Sequence, residues 1–458
     1  MSTKKRGRPK PWARKKPVGA RELALQILVA TESRSAYSDR LLDTRLKEAD
    51  LAPEDAHLVT ALVQGVLRHQ GTLDHHLAYF ARENWGGLPA WIKGALRMGA
   101  FQILLMDRIP GRAAVDESVE LAKKYGHPGT AGLVNALLRK LSRGDRAPFP
   151  DPASNPIDYL AAAHSHPRWL VERWMARLGR EEAERLLRAN NEEPSVSVRP
   201  NLALAKSDEI FARLRAEGFK PEPARNGGPV WIMGGGFVPS RSNAFREGLI
   251  SLQDEAEASV VPILDPRPGE RVLDLCAAPG SKAAQIAEAV GASGRVVALE
   301  RHRSRARALR ANLSERMRFT NTQVVCGDGT MPPFRGGFDR VLVDAPCSGL
   351  GVLRRRADAR WRKEEESILT MAAQQPKLLE GAARLIRPGG ILVYSVCSLE
   401  PEETSLVVES FLKAHPEFTA EAVDSYLPAA FRSGGSSMIA TPQRNGTDGV
   451  FAARFRKR

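Results

Sequence analysis

From residue 248 to the end of the chain, short aliphatic and β-branched runs alternate with stretches of helical period. That alternation admits little except a doubly wound, mostly parallel α/β sheet with helices on both faces. Strand candidates fall at 271–275, 295–299, 323–326, 341–343 and 390–395. Open sheets of this kind bind ligands outside the carboxyl ends of their strands, so the residues just past each run carry the functional information. Two of the runs lead into thiols. Val341-Leu342-Val343 is followed by Asp344-Ala345-Pro346-Cys347, and Gly390-Ile391-Leu392-Val393-Tyr394-Ser395 runs into Val396-Cys397.

The first strand candidate feeds the turn Cys276-Ala277-Ala278-Pro279-Gly280-Ser281-Lys282, which opens a helix over 283–290. Small residues let a backbone come close to a ligand, and a helix start offers free N–H groups. The turn is neither GxGxxG nor GxxxxGK[ST], the patterns that cradle phosphates. It suits a nucleoside-like cofactor without pyrophosphate and speaks against a nucleotide-dependent oxidoreductase. Glu300 ends the second strand candidate about 20 residues on, where doubly wound folds place the acid that holds a ribose diol. Asp328 follows the third strand candidate, where it would meet an adenine amino group. The order of these acids after one glycine-containing turn points to S-adenosylmethionine.

A thiol beside a carboxylate at a strand end suits attack by sulfur on an electrophile. Carbon 5 of cytosine requires such help: it is a poor nucleophile until a thiolate adds to carbon 6 and pushes electron density across the ring. Asp344, protonated, would donate to ring nitrogen 3 and stabilise the developing charge. A second thiol would assist release of the product. The residues alone do not decide which sulfur attacks. Both thiol segments, Asp344-Ala345-Pro346-Cys347-Ser348-Gly349 and Tyr394-Ser395-Val396-Cys397-Ser398-Leu399-Glu400-Pro401-Glu402-Glu403, resemble those of the RNA cytosine-5 methyltransferases of the Nop2/Sun group. The resemblance implies a seven-stranded, Rossmann-like methyltransferase domain whose last, antiparallel strand includes 447–451. It implies that Cys397 is the nucleophile and Cys347 the releasing thiol, and that 276–282, Glu300, Asp328 and Asp344 hold S-adenosylmethionine. Ser281, Glu300 and Val396 depart from that pattern, which usually has Gly, Asp and Thr there.

Residues 21–146 carry apolar residues at helical spacing, as in Leu58, Leu62 and Val66, with breaks at 85–89 and 109–111. The segments Gly65-Val66-Leu67-Arg68, Leu96-Arg97-Met98-Gly99-Ala100-Phe101-Gln102, Ala114-Val115-Asp116-Glu117 and Val134-Asn135-Ala136-Leu137-Leu138-Arg139 resemble the NusB-like RNA-binding domain, which is all-helical. A Pro-rich boundary at 147–152 precedes a small α+β subdomain over 153–245, and the catalytic domain takes 246–458. A basic arm over 1–20 has almost nothing to bury and reads as disordered. A net charge of +15 makes a polyanion the expected partner. The resemblance implies ribosomal RNA, 16S in particular, with the protein acting as a monomer. Arg354, Arg355, Arg356, Arg360 and Trp361 follow the Pro-Cys loop and are expected to line an RNA channel, Trp361 by packing or by stacking on a base. Only four cysteines occur, without paired spacing. That argues for a reducing cytoplasm and against disulfides or a zinc site. Cys276 and Cys326 are expected to be small buried hydrophobes. No apolar run is long enough to cross a membrane. A non-catalytic RNA-binding assembly factor would share the charge and the helical domain but would leave both thiol segments without a role.

Overall fold

The structure, a computed structural model, describes residues 19–34, 38–49, 51–234 and 236–458. The basic arm expected over 1–20 lies outside them but for its last two residues. Two compact units form. One runs to Arg180 and takes in Arg356–Arg362; the other comprises Glu181–Arg355 and Lys363–Arg458.

The first unit is helical: α1 (Ala20–Arg34), α2 (Ser38–Glu48), α3 (Pro53–Ala81), α4 (Ala90–Leu105), α5 (Gly111–Tyr125), α6 (Pro128–Ser142), α7 (Pro156–Ala163) and α8 (Arg168–Leu178). α3 opens on Pro53 with Glu54 and Asp55 in its first turn, which suits the positive end of a helix dipole. It buries Val59, Leu62, Val63, Val66 and Leu67 on one face. α3 and α4 approach at Gly65, where a Cβ would lie 2.0 Å from the ring of Phe101. Arg97 of α4 is buried and donates through Nε and Nη2 to Asp74 at 2.7 and 2.8 Å. The Pro-rich stretch 147–152 does not end this unit. Beyond it, Ser165 Oγ accepts from the Gly71 amide at 2.9 Å and the Ala162 carbonyl accepts from Thr72 at 2.7 Å, which tie the following residues back to α3.

The second unit holds two sheets. The smaller is antiparallel, built from β1 (Val196–Pro200), β2 (Pro221–Pro223), β3 (Trp231–Met233) and β4 (Ile250–Leu252) in the order β2-β3-β1-β4. The larger contains β5 (Arg271–Asp274), β6 (Arg295–Glu300), β7 (Thr322–Cys326), β8 (Phe338–Asp344), β9 (Ile386–Val396), β10 (Phe418–Ala420), β11 (Ser437–Ala440) and β12 (Val450–Lys457). Its order is β10-β12-β9-β8-β5-β6-β7, seven strands wide as expected. There is also an eighth segment. β12 is long enough for β11 to pair with its first half and β10 with its last three residues. β5 to β9 pair in parallel, and β12 returns antiparallel to β9. Strands covered on both faces read as continuous apolar runs, as Val341-Leu342-Val343 does.

Parallel pairing places the carboxyl ends of five strands at one edge, and the strand order reverses between β5 and β8, the switch point where ligands bind. β5 ends on Asp274, which is 1% exposed, and neither of its oxygens has a well-aligned donor. Burial, and then the neighbouring Asp344, push its carboxyl up to about 7. A second tight point lies beside β9. The Gly351 amide donates to the Cys397 carbonyl at 3.1 Å, and the Gly351 carbonyl accepts from Gly449 at 2.7 Å. A Cβ on Gly351 would sit 2.2 Å from the Gly449 oxygen and 2.9 Å from that of Cys397.

Two stability predictions arise here. Gly351→Ala forces one backbone off another and should cost roughly 1–3 kcal/mol, read as a lower urea midpoint. An acid whose folded pKa is raised contributes stability that is lost as pH rises through the folded value, here between about 4 and about 7. Asp274→Asn removes that component. Its stability relative to the parent should therefore improve, by something on the order of 3 kcal/mol, between urea titrations at pH 5 and at pH 7.5.

Candidate active site

β8 and β9 run side by side in a register that sets Asp344 opposite Ser395, and the Ala345 amide extends the ladder to the Ser395 carbonyl at 2.8 Å. The Pro-Cys loop and the Val-Cys loop therefore leave the sheet as neighbours. Their sulfurs, Cys347 Sγ and Cys397 Sγ, lie 3.1 Å apart, and both cysteines are free and half-buried. The contact with Cys397, then burial, then the charge of Glu403 push the Cys347 thiol well up. Val396, where the resemblance led one to expect a hydroxyl, is buried among the apolar side chains of the sheet.

Asp344, at the end of β8, sits in a cluster with one cation. Lys282 Nζ donates to Asp344 Oδ2 at 2.9 Å and to Glu257 Oε2 at 2.6 Å, while Ser395 Oγ donates to Asp344 Oδ1 at 2.7 Å. Burial works against the Lys282 charge, but Asp344 and Glu257 outweigh it and the ammonium is held. Burial raises the Asp344 carboxyl, Lys282 opposes that rise and Glu257 adds to it. With Asp274 also close, three carboxyls share one ammonium, so a proton on one of them is favoured. Glu257 was not legible in the sequence, since an acid in the short helix Glu255–Ala258 reads as a solvated first turn.

The turn after β5 is fixed by its neighbours. Leu275 and Ala277 donate to the carbonyls of Leu342 and Leu299, each at 2.9 Å, and the Ala278–Pro279 bond is cis. Gly280 has a φ of +113°, and a Cβ there would meet Leu309 at 2.7 Å, so glycine is required on two counts. The carbonyls of Ala278 and Pro279 accept from Arg305 at 3.0 Å and Asn312 at 2.9 Å, a support that spacing did not reveal. The Ser281 hydroxyl donates to the Leu252 carbonyl at 3.2 Å. Burial pushes the Cys276 thiol up, which suits a packing role. Glu300 is buried; its Oε1 accepts from the His302 amide at 2.8 Å, and Oε2 lies 3.4 Å from Arg305. Asp328 Oδ1 accepts from the amide and hydroxyl of Thr330 at 2.9 and 2.8 Å, and the backbone bond is the main reason its pKa is lowered.

Several expectations need correction. Arg354 and Arg360 are buried, Arg355 and Trp361 are half-buried, and each is bonded to internal partners rather than lining an open channel. Arg354 is 3% exposed and donates to the Thr447 carbonyl. Arg355 binds Asp254 and Asp448, both at 2.7 Å. Arg360 is fully buried against the Ser165 and Arg68 carbonyls, and Trp361 Nε1 donates to the Leu67 carbonyl at 2.8 Å. Arg356 is the exposed member of the group. Cys326, expected to be buried, is exposed because β7 is an edge strand.

Comparison with known proteins agrees with this geometry. The family model for the 16S rRNA methyltransferase RsmB/F matches residues 261–456, that of the NusB family matches 19–143, and that of the ferredoxin-like domain of RsmF/B-like methyltransferases matches 166–227. The probable ribosomal RNA small subunit methyltransferase B of Bacillus subtilis is 34% identical over 454 residues, covering 97% of this chain and 100% of that one. The ribosomal RNA small subunit methyltransferase B of Klebsiella pneumoniae is 32% identical over 97% of this chain and 99% of that one. The crystal structure of PH0851 overlays with a TM-score of 0.79 at 28% identity, over 97% of this chain and all of that one. A third of the residues shared along nearly the whole length, with matching models on both the helical unit and the thiol-bearing sheet, make the chain a member of the RsmB/F family of methyltransferases with an N-terminal NusB domain.

Proposed function

We propose that the protein transfers a methyl group from S-adenosylmethionine to carbon 5 of a cytosine in 16S ribosomal RNA, through a covalent adduct between Cys397 and carbon 6. The observation that carries this reading is the 3.1 Å contact between the two sulfurs, at the strand ends beside Asp344. A purely RNA-binding protein has no use for that arrangement. The substrate follows from the relatives, named for methylation of small-subunit ribosomal RNA, and from a net charge of +15 suited to a polyanion.

The residues at the edge fit the cofactor. Glu300 and Asp328, acids at and just past the ends of β6 and β7, favour a ligand carrying a sulfonium and an ammonium over one carrying phosphates. The left-handed Gly280 lets the turn close against Leu309, Asn312 and Leu313, which fixes the backbone that would border the ligand. The segment Cys276 to Lys282 would border the cofactor, with Glu300 toward the ribose, Asp328 toward the adenine and Asp344 toward the reacting centre. When bound, the cofactor supplies an electrophilic methyl group.

The protein's own steps are then as follows. Cys397, its proton released to solvent, adds as the thiolate to carbon 6, and Asp344, its proton favoured by burial and by Glu257, donates to ring nitrogen 3 as charge builds there. Lys282 holds Asp344 in place from the other side. After methyl transfer a water molecule takes the carbon 5 proton, the C–H pair forms the carbon 5–carbon 6 double bond, the sulfur–carbon 6 bond breaks with its pair going to Cys397 as thiolate, and the proton on ring nitrogen 3 returns to Asp344. Cys347, which touches that sulfur, is placed to donate a hydrogen bond to the departing Cys397 thiolate and so ease its release. In this reading a NusB-like RNA-binding module (21–146), a small α+β piece (153–245) and the catalytic domain (246–458) act together, as a single chain in the cytoplasm. Among the described residues no helix is long and apolar enough to cross a membrane, and no cluster of metal-ligating side chains occurs.

Single-turnover methylation of unmodified ribosomal RNA tests the division of labour. Cys397→Ala should lose methyl transfer by at least about a thousandfold. Cys347→Ala should retain the transfer but accumulate protein bound to RNA, seen as a slow band on a denaturing gel. Full turnover by Cys397→Ala would remove the covalent route, and freely released product from Cys347→Ala would remove the proposed role of the second thiol.

A further inference from the structure

One buried carboxylate lies behind the two thiols with no role in the chemistry above. Glu403 is fully buried in the turn Pro401–Glu403, and the Tyr394 hydroxyl fixes its backbone by donating to the Glu403 carbonyl at 2.7 Å. Its Oε1 accepts from the Ser348 amide at 2.7 Å and from Gln375 Nε2 at 3.2 Å. Its Oε2 accepts from the hydroxyls of both Ser348 and Ser398. Ser348 follows Cys347 and Ser398 follows Cys397, so one side chain grips the residue next to each sulfur. Gln375 also reaches the Pro346 carbonyl at 3.1 Å, on the other side of Cys347. Burying a carboxylate is costly unless donors replace the water it loses, and here four do. Packing alone would be served as well by an apolar side chain.

We propose that Glu403 is a positioning residue: its two carboxylate oxygens tie the Cys347 loop to the Cys397 loop and thereby set the distance between the sulfurs. The inference rests on the two-thiol reading above. The charge of Glu403 also acts on Cys347 in the direction that reading needs, adding to the contact with Cys397 and to burial in keeping the proton there.

The test uses the full-length protein and a readout independent of methylation. Phenylarsine oxide bonds two neighbouring sulfurs at once and releases water, so its affinity reports how well the pair is held. Glu403→Ala should weaken arsenical binding roughly tenfold, the scale of one lost ordering contact. It should also lower the turnover number about 100-fold, as a misplacement of about 1 Å does, with the dissociation constant for S-adenosylmethionine unchanged. Glu403→Gln, whose amide can still serve the two hydroxyls, should restore most of both. If Glu403→Ala does not fold, the Ser348→Ala/Ser398→Ala variant removes the Oε2 arm alone and should move arsenical affinity the same way. Folded variants that bind the arsenical as tightly as the parent would overturn the proposal, whatever their methylation rate. Weakened arsenical binding with methylation intact would uphold the clamp and count against the two-thiol reading instead.

Discussion

The parallel pairing of β8 with β9 is the constraint on which the site depends. Because Asp344 and Ser395 face each other in that ladder, two loops about 50 residues apart in sequence emerge side by side, and each delivers a sulfur to the same point. A slip of one residue would turn every side chain of one strand to the other face of the sheet and separate the thiols. The apolar runs on both strands therefore serve the chemistry as well as the core, since burial on both faces is what fixes the register.

Around this ladder the protein concentrates buried charge, and each buried group has a partner or a consequence. Lys282 is shared between Asp344 and Glu257, Glu403 takes four donors, and Arg355 is held by Asp254 and Asp448. Asp274 lacks a well-aligned donor, and its carboxyl is pushed up to about 7. Structural ion pairs and functional ones are interleaved here, and shifted titration alone would not separate them. Position in the sheet does, because Asp344 ends the strand that leads to Cys347 while Arg355 locks one loop to another.

Much of this was legible in the sequence. Strand ends in a doubly wound sheet share one edge, so Glu300, Asp328, Asp344, Cys347 and Cys397 could be gathered from their positions after apolar runs. The eighth strand segment could not, since whether β11 finds a place depends on the length of β12 and on the sharing of its edge. Glu403 and Glu257 look like solvated acids locally, and only tertiary structure supplies their donors. The error over Arg354, Arg355, Arg360 and Trp361 has the same origin. A run of arginines after a catalytic loop suggests phosphate contact, but the partners that draw those side chains inward lie far away in sequence, as with Asp254 and Asp448 for Arg355. Arg97, Arg340 and Arg454 are buried in the same way, so the position of an arginine in the sequence does not by itself place it on the surface. The arginines of the helix Arg303–Arg310 are exposed, and of these Arg305 supports the turn after β5.

The most direct test of the covalent account uses the unmutated protein. Trapping it on ribosomal RNA containing 5-fluorocytosine in the presence of S-adenosylmethionine, followed by proteolysis and mass spectrometry, identifies the cysteine joined to the pyrimidine. The account predicts the adduct on the peptide that carries Cys397. An adduct on Cys347, or methyl transfer with no adduct at all, would contradict it.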